Sequence, residues 1–403
     1  MSNRRFWLLW FGQTVSVLGD WFNVVALRSF VYGRTGSSSA LGLLGVIQAL
    51  PAVLLGLPAG VLVDRWDRRT IMIQADLVRG CLMLWLSVST NVVHAYWITL
   101  VVGIATLLFE PARGALLPNI VDKDSLLEAN AWLEGSYTAA KLVGPAAAGF
   151  VIPWGGASLA FRLNALSFFA SAIALAMMGA VPLASAGAGP RGRRVIADVG
   201  YVWSFVRRSP VLSAVFQTVA GTSFGSGCIN VLLLVYSHEL LQMGDRGYGI
   251  LVSAIGAGMV VGVLITKRLA ESCRREMMFA AAVLVTGALF GLIGLTSMAS
   301  IALTAVFLGG IGYGMSSVTG QTLLQQWSPD EVRGRVLALV RSAMQSASLV
   351  SAMVAGLLAD RFGVGAVLVT AGVLVTCSGL LGFMRLRCQV PCGMAHSPPA
   401  GDP

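Results

Sequence analysis

Apolar runs of about 20 or more residues, the length a helix needs to cross a bilayer, recur twelve times along the chain. They lie near 6–30, 38–63, 70–91, 95–120, 127–152, 157–181, 211–237, 247–268, 276–297, 299–325, 334–359 and 363–385. The periodicity within them is helical, and the ten-residue alternation of a membrane barrel strand is absent. This pattern predicts an all-α membrane protein of twelve transmembrane helices. The one long polar connection, 182–210, falls mid-chain and divides it into two six-helix bundles, 1–181 and 211–387, with a disordered tail over 388–403. Inside the connection Val195, Val199, Val202, Trp203 and Val206 stand at helical spacing among arginines, which predicts a short amphipathic helix on the membrane surface.

A shift of 207 residues aligns Gly103 with Gly310, Leu116-Leu117 with Leu323-Leu324, Leu142-Val143 with Leu349-Val350 and Ala148-Gly149 with Ala355-Gly356. Apolar sequence matches itself easily, so the shared offset carries more than any one pair. It predicts that the bundles are pseudo-symmetric repeats.

Composition agrees with a polytopic membrane protein: 56% of residues are hydrophobic and 11% charged, with a mean hydropathy of +0.78. A net charge of +10 would suggest nucleic acid in a soluble chain. Here the basic residues gather at segment ends on one side, with Arg34, Arg246 and Arg361 the exceptions, so the charge marks topology and no nucleic-acid partner is expected. Both termini are thereby placed in the cytoplasm, in a multi-pass protein of the cell (inner) membrane. Six scattered cysteines give no disulfide framework. His94, His238 and His396 accompany no nucleophile elbow, zinc spacing or phosphate loop. The chain is therefore expected to be no enzyme and to need no metal or cofactor. Cys388, Cys392 and His396 are spaced by four, but Pro391 and Gly393 spoil the helix a metal would need.

Between the second and third segments stands Gly60-Val61-Leu62-Val63-Asp64-Arg65-Trp66-Asp67-Arg68-Arg69. Asp64 suits the positive N-terminus of a neighbouring helix, and the arginines suit an anionic membrane face. Gly60, Asp64, Arg65, Arg68 and Arg69 thus read as a cytoplasmic latch. The loop resembles the G-x-L-x-D-R-x-G-R-R signature of the major facilitator superfamily, with Asp67 where that family has glycine. The resemblance implies two parallel six-helix repeats that alternate access to a central cavity.

Charges within the spans are costly and normally face a cavity or a partner. Asp20 lies somewhat past the middle of the first segment. It reads as a carboxylate that loads and releases a proton, or as a static partner for Arg28. Glu110 and Arg113, three apart in the fourth segment, pair locally beside Pro111; Glu110 is a second proton or cation candidate. Glu134, Thr138 and Lys141 form one polar stripe in the fifth. The 207-residue offset sets Glu134 opposite Arg341 in the eleventh, a gate pair if the two meet. Asp76 and Arg79 read as neighbours of the loop. Gly309-Gly310-Ile311-Gly312-Tyr313-Gly314 reads as a helix-packing face.

Gly144-Pro145-Ala146-Ala147-Ala148-Gly149 permits close contact and a bend. It resembles the superfamily's antiporter signature G-x-x-x-G-P-x-x-G-G, with Ala140 and Ala148 in place of two glycines. Together with Gly19-Asp20-Trp21 and Pro111-Ala112-Arg113-Gly114, it makes the chain similar to the drug:proton antiporter branch that holds macrolide efflux pumps and the enterobactin exporter. That resemblance implies a monomeric exporter, partnered only by lipid, protons and an amphiphilic small molecule. Trp21, Phe22, Phe109, Tyr137 and Tyr313 are its expected aromatic lining. The alternative on the same fold is an exporter of a specific metabolite or siderophore, or a lysophospholipid flippase, with Arg28, Lys141, Arg162 and Arg341 on an anionic headgroup.

Overall fold

A computed structural model describes residues 3–63, 66–122, 125–179, 195–270 and 274–389. Its helices are α1 (Arg4–Thr35), α2 (Ser38–Val63), α3 (Arg68–Val88), α4 (Val92–Ile120), α5 (Leu126–Met177), α6 (Val195–Arg208), α7 (Pro210–Glu239), α8 (Gly244–Leu269), α9 (Arg275–Ile293), α10 (Ala299–Gln326), α11 (Asp330–Phe362) and α12 (Val364–Gln389). Ten of these helices, among the described residues, are long and apolar enough to cross a membrane. α1, with Asp20 and Arg28 in its 32 residues, adds a crossing, and α5 supplies two, which makes twelve spans. The tail from 390, with Cys392 and His396, and Asp64 and Arg65 of the loop lie outside the described residues.

The chain divides into two compact units. The first is Met1–Ala188 with Gln242–Ser253, and the second is Gly189–Leu241 with Ala254–Pro403. The sequence assigns residues 242–253 to the second bundle, yet they cluster with the first. The reason lies in two glycines, described with the site below.

Sequence chemistry sets the helix ends. Asn3 caps α1 by accepting from the Arg5 N–H at 3.0 Å, and Asn91 caps α4 by accepting from Val93 N–H at 2.8 Å. The Asp67 that displaces the family's glycine is itself a cap: its carboxylate accepts from the Thr70 N–H at 2.9 Å and the Thr70 hydroxyl at 2.5 Å. A loop that lacks its usual glycine thus starts α3 by another means. Asp67→Ala should lower stability by about 1 kcal/mol, read as an earlier thermal unfolding midpoint of the purified protein; an unchanged midpoint would mean the cap contributes nothing.

The two arginines after Asp67 reach neighbouring helices, Arg69 at the end of one. Arg68 donates to the Ala115 carbonyl of α4 at 2.9 Å, and Arg69 donates to the Leu175 and Ala176 carbonyls of α5 at 2.8 and 2.7 Å. The Leu175 and Ala176 carbonyls belong to the last turn of α5, where a cation is favoured. Gly60 lies within α2, in a stretch whose side chains are not described.

In α5 the single residue Gly156, at φ 67 and ψ −179, breaks the helical torsions. A positive φ with extended ψ is glycine territory. The expected loop between the fifth and sixth segments is therefore one residue long, and α1 packs along the limb that follows it. A Cβ at Gly12 would lie 3.2 Å from Ser171 Cα and 3.3 Å from Ala174 Cβ. Glycines of this kind let membrane helices approach closely where lipid gives no hydrophobic drive to associate.

In the second unit, α10 uses its glycine run as a packing face on two sides. Gly309 and Gly312 meet Phe290 and Thr286 of α9, while Gly310 and Gly314 meet Ile255 and Met259 of α8. The linker helix α6 packs one side on its own unit. Val202 and Val206 are buried among Val211, Leu212, Val215 and Phe279, and Trp203 stacks edge-on against Phe216 at 5.3 Å. Protein, not lipid, covers this part of its apolar stripe.

Candidate functional site

The charged side chains of the spans concentrate in the first unit, on α1, α3, α4 and α5. Gln13 and Asp20 are seven residues apart on α1 and share a face. That face meets Asn164, Ser167 and Ser171, which follow one another at three- and four-residue spacing on the second limb of α5. The approach is tight because Gly19 sits against Ser167 and Asn164. Gln13 donates to the Ser171 hydroxyl at 3.5 Å and accepts from Arg113 at 3.4 Å. Arg113 in turn pairs with Glu110 at 2.6 Å, and the Glu110 side chain is half exposed. A chain of polar contacts thus runs from α5 through α1 to α4.

Asp20 is partly buried. It follows Gly19, which sits against Asn164 and Ser167 of α5. Tyr137, on the first limb of α5, shares the field of Asp20, Glu110, Arg113 and Glu134. Arg28, the static partner considered for Asp20, turns elsewhere and donates to the Tyr248 hydroxyl at 2.5 Å.

Asp76 and Arg79 are not neighbours of the loop. With α3 starting at Arg68, Asp76 stands about 12 Å along the helix axis and Arg79 about 16 Å. Both are buried, at 0% and 3% exposure, and they pair with each other. The Arg79 guanidinium carbon lies 4.4 Å from the ring centres of both Phe109 and Phe168, so the cation is held between two aromatic faces. Phe109, expected to line a cavity, is instead buried beneath this arginine.

The other predicted residues take separate places. Lys141 is partly buried on α5 and forms no ion pair among the described residues. Glu134 is exposed on the first unit and Arg341 on the second. The α5 backbone stays helical through Gly144, Pro145 and Gly149, and the break comes at Gly156. The expected bend motif is used for contact: Gly144 meets Trp21 of α1, and a Cβ at Gly149 would lie 3.2 Å from Gly249 Cα at the start of α8. Ser29 donates to Asp245 at 2.5 Å, and Arg246 lies over Phe150 at 4.8 Å. These contacts join residues 242–253 to the first unit.

Two features escaped the sequence reading. One is the Asn164-Ser167-Ser171 stripe, whose period was visible. The other is an edge-to-face cluster of Trp7, Trp10 and Trp132, with ring centres 5.4–5.7 Å apart and the Trp10 indole donating to Ser136 at 2.9 Å. Beside it a hollow of about 450 Å³ opens along α5, lined by Glu128, Ala131, Trp132, Gly135, Ser136 and Ala139.

A two-unit helical membrane protein with charges buried in one unit and small residues at its crossings is built as a secondary transporter of the major facilitator class. Comparison with known proteins agrees. The family model for the transmembrane secretion effectors of that superfamily matches residues 1–399, and the chain belongs to this family. It is 25% identical to macrolide efflux protein A of Streptococcus pyogenes, over 94% of this chain and 95% of that protein. To a multidrug efflux pump of Mycobacterium tuberculosis it is 26% identical, covering 95% and 94% respectively. In fold it is similar to a bacterial homologue of the iron transporter ferroportin, solved in an inward-facing state, at a TM-score of 0.76 with 14% identity over 95% of this chain and 98% of that one. The protein is a multi-pass membrane transporter of small molecules and not an enzyme, and efflux pumps are among its relatives.

Proposed function

We propose that the chain exports amphiphilic small molecules in exchange for protons, with Asp20 as the proton carrier and Glu110 as a second acidic site. The observation that carries this reading is the position of Asp20: an acid partly buried in the first unit, next to the Gly19 that packs on Asn164 and Ser167. Its rival partner Arg28 is engaged with Tyr248. A proton carrier needs this mixture of seclusion and access. The names of the two efflux relatives support outward transport, and the tryptophan cluster beside the α5 hollow suits a flat, apolar ligand. In this reading the chain acts as a monomer, with bundles 1–181 and 211–387 joined by 182–210. Both termini lie in the cytoplasm, Arg68 and Arg69 latch the cytoplasmic end, and Glu134 with Arg341 gates it.

Lys141 favours one second reading. A partly buried ammonium without an ion pair among the described residues suits an anionic headgroup, as in a metabolite exporter or a lysophospholipid flippase. One experiment separates the two. Everted vesicles holding the protein are given a pH gradient and a panel of cationic, neutral and anionic amphiphiles. Gradient-driven uptake of cationic or neutral compounds is expected. Uptake confined to anions would favour the second reading, and no gradient-dependent uptake of any compound would end the antiport proposal.

A further inference from the structure

The tryptophan cluster and the hollow beside it are more selective than a patch for any apolar ring. Trp7, Trp10 and Trp132 meet pairwise edge to face, at interplanar angles between 66° and 84°. The Trp10 N–H is held by two acceptors on α5, the Ser136 hydroxyl at 2.9 Å and the Trp132 carbonyl at 3.3 Å. A tryptophan that only anchors a helix at a membrane surface leaves its N–H to water and headgroups. Here the N–H is spent on bracing the rings, and Trp132 still keeps 44% of its surface open to a ligand.

The six residues that line the hollow follow one another on α5 at spacings that keep them on a single face. From Glu128 to Ala139 that face extends about 16 Å along the helix, and the volume of about 450 Å³ is that of a small-molecule site. A Cβ placed on Gly135, midway, would find nothing within 4 Å, so the space there is open.

The polar groups of the lining differ in what they have left to offer. The Ser136 hydroxyl is used, accepting from Trp10 and donating to the Trp132 carbonyl at 2.9 Å. The Glu128 carboxylate is exposed and forms no ion pair among the described residues. Among the described lining residues none is basic. An acid in the first turn complements the helix dipole, but that role calls for neither a hollow nor a braced indole one turn further on.

A ligand that fits is flat and aromatic where it meets Trp132, and cationic where it meets Glu128. Such a cation gains from the ring face and from the carboxylate together. An anion would meet like charge with no basic side chain to receive it. Asp20 lies ten residues beyond Trp10 on α1, about 15 Å along the axis, so the hollow and the proposed proton carrier are separate places.

We propose that this hollow is a binding site for flat aromatic cations, with Trp132 as the stacking surface and Glu128 as the counter-charge. The site deepens the export reading, and rests on it only for the direction in which a bound cation moves.

The test is equilibrium binding to the full-length protein in neutral detergent micelles. Two probes are followed by their own fluorescence: ethidium, a flat aromatic cation, and 6-phenylphenanthridine, a neutral ring system of similar shape. In Glu128→Gln the affinity for ethidium should fall about tenfold while that for the neutral probe stays unchanged. In Gly135→Leu, which fills the hollow, both affinities should fall about tenfold or more. The unfolding midpoint should not fall with them, since the leucine enters open space and replaces a helical glycine. Ala139→Leu fills the far end of the same hollow and decides the matter should Gly135→Leu not fold. Ethidium affinity unchanged by filling the hollow, or both probes weakened equally by Glu128→Gln, overturns the proposal. Export is judged apart, by ethidium uptake into everted vesicles under a pH gradient. Binding that responds to both variants without any driven uptake ends the export reading and leaves the site standing; driven uptake with binding indifferent to both variants ends the site and leaves the export reading.

Discussion

Asp20→Asn is expected to bring pH-gradient-driven efflux down to the level of vesicles without the protein. Asparagine keeps the size of the side chain, so the helix packing around Gly19 should survive. What it loses is the ability to exist in two protonation states. The signature is therefore specific: no uptake driven by a pH gradient, alongside normal yield, normal thermal unfolding and retained exchange of labelled for unlabelled substrate at equal pH. Asp20→Glu should recover part of the driven uptake, since the acid is restored one methylene out of place. Driven uptake at the original rate in Asp20→Asn would move the carrier elsewhere, first to Glu110.

The second large effect concerns the glycine pair between α5 and α8. A Cβ at Gly249 would lie 3.0 Å from Gly149 Cα and closer still to the Pro145 carbonyl oxygen. These obstacles are backbone atoms on a helix and cannot swing away. Gly249→Val should therefore unseat the start of α8 from the first unit, at a cost of about 1–3 kcal/mol, with the Arg28–Tyr248 and Ser29–Asp245 bonds lost as well. Thermal unfolding of the series Gly249→Ala, Gly249→Ser and Gly249→Val should fall in order of side-chain volume. A flat series would show that the contact yields without penalty. Gly114 of α4, exposed and with nothing within 4 Å of an added Cβ, offers a control for the intrinsic cost of replacing a helical glycine.

The sequence made the spans legible because twenty apolar residues in a row have few other uses. The two bundles followed from one long polar connection and a common offset. Individual charges were equally plain, and Asp20, Glu110 and Arg113 do share one unit with a polar path between their helices. Three things were harder to read. Asn164, Ser167 and Ser171 are uncharged and sit in an apolar run, where such residues pass as packing. Asp76 and Arg79 were assigned to the loop because the count of residues from it is small, yet each residue of helix adds 1.5 Å of depth. That residues 242–253 cluster with the first unit was not legible either, because the bare backbone at Gly149 and Gly249 that holds this segment to α5 carries no side-chain signal.

Gly156 has a consequence for how the protein is made. Two membrane crossings joined by one residue leave almost no polar backbone to carry through the bilayer, so the limbs of α5 are suited to enter as a single hairpin. The same economy removes a place where sequence can be added. Surface loops ordinarily absorb tags and inserted domains, but here an insertion would have to replace a glycine conformation that no other residue adopts cheaply. The fifth and sixth crossings thus form an inseparable pair, and evolution or engineering must find room for new sequence at other turns.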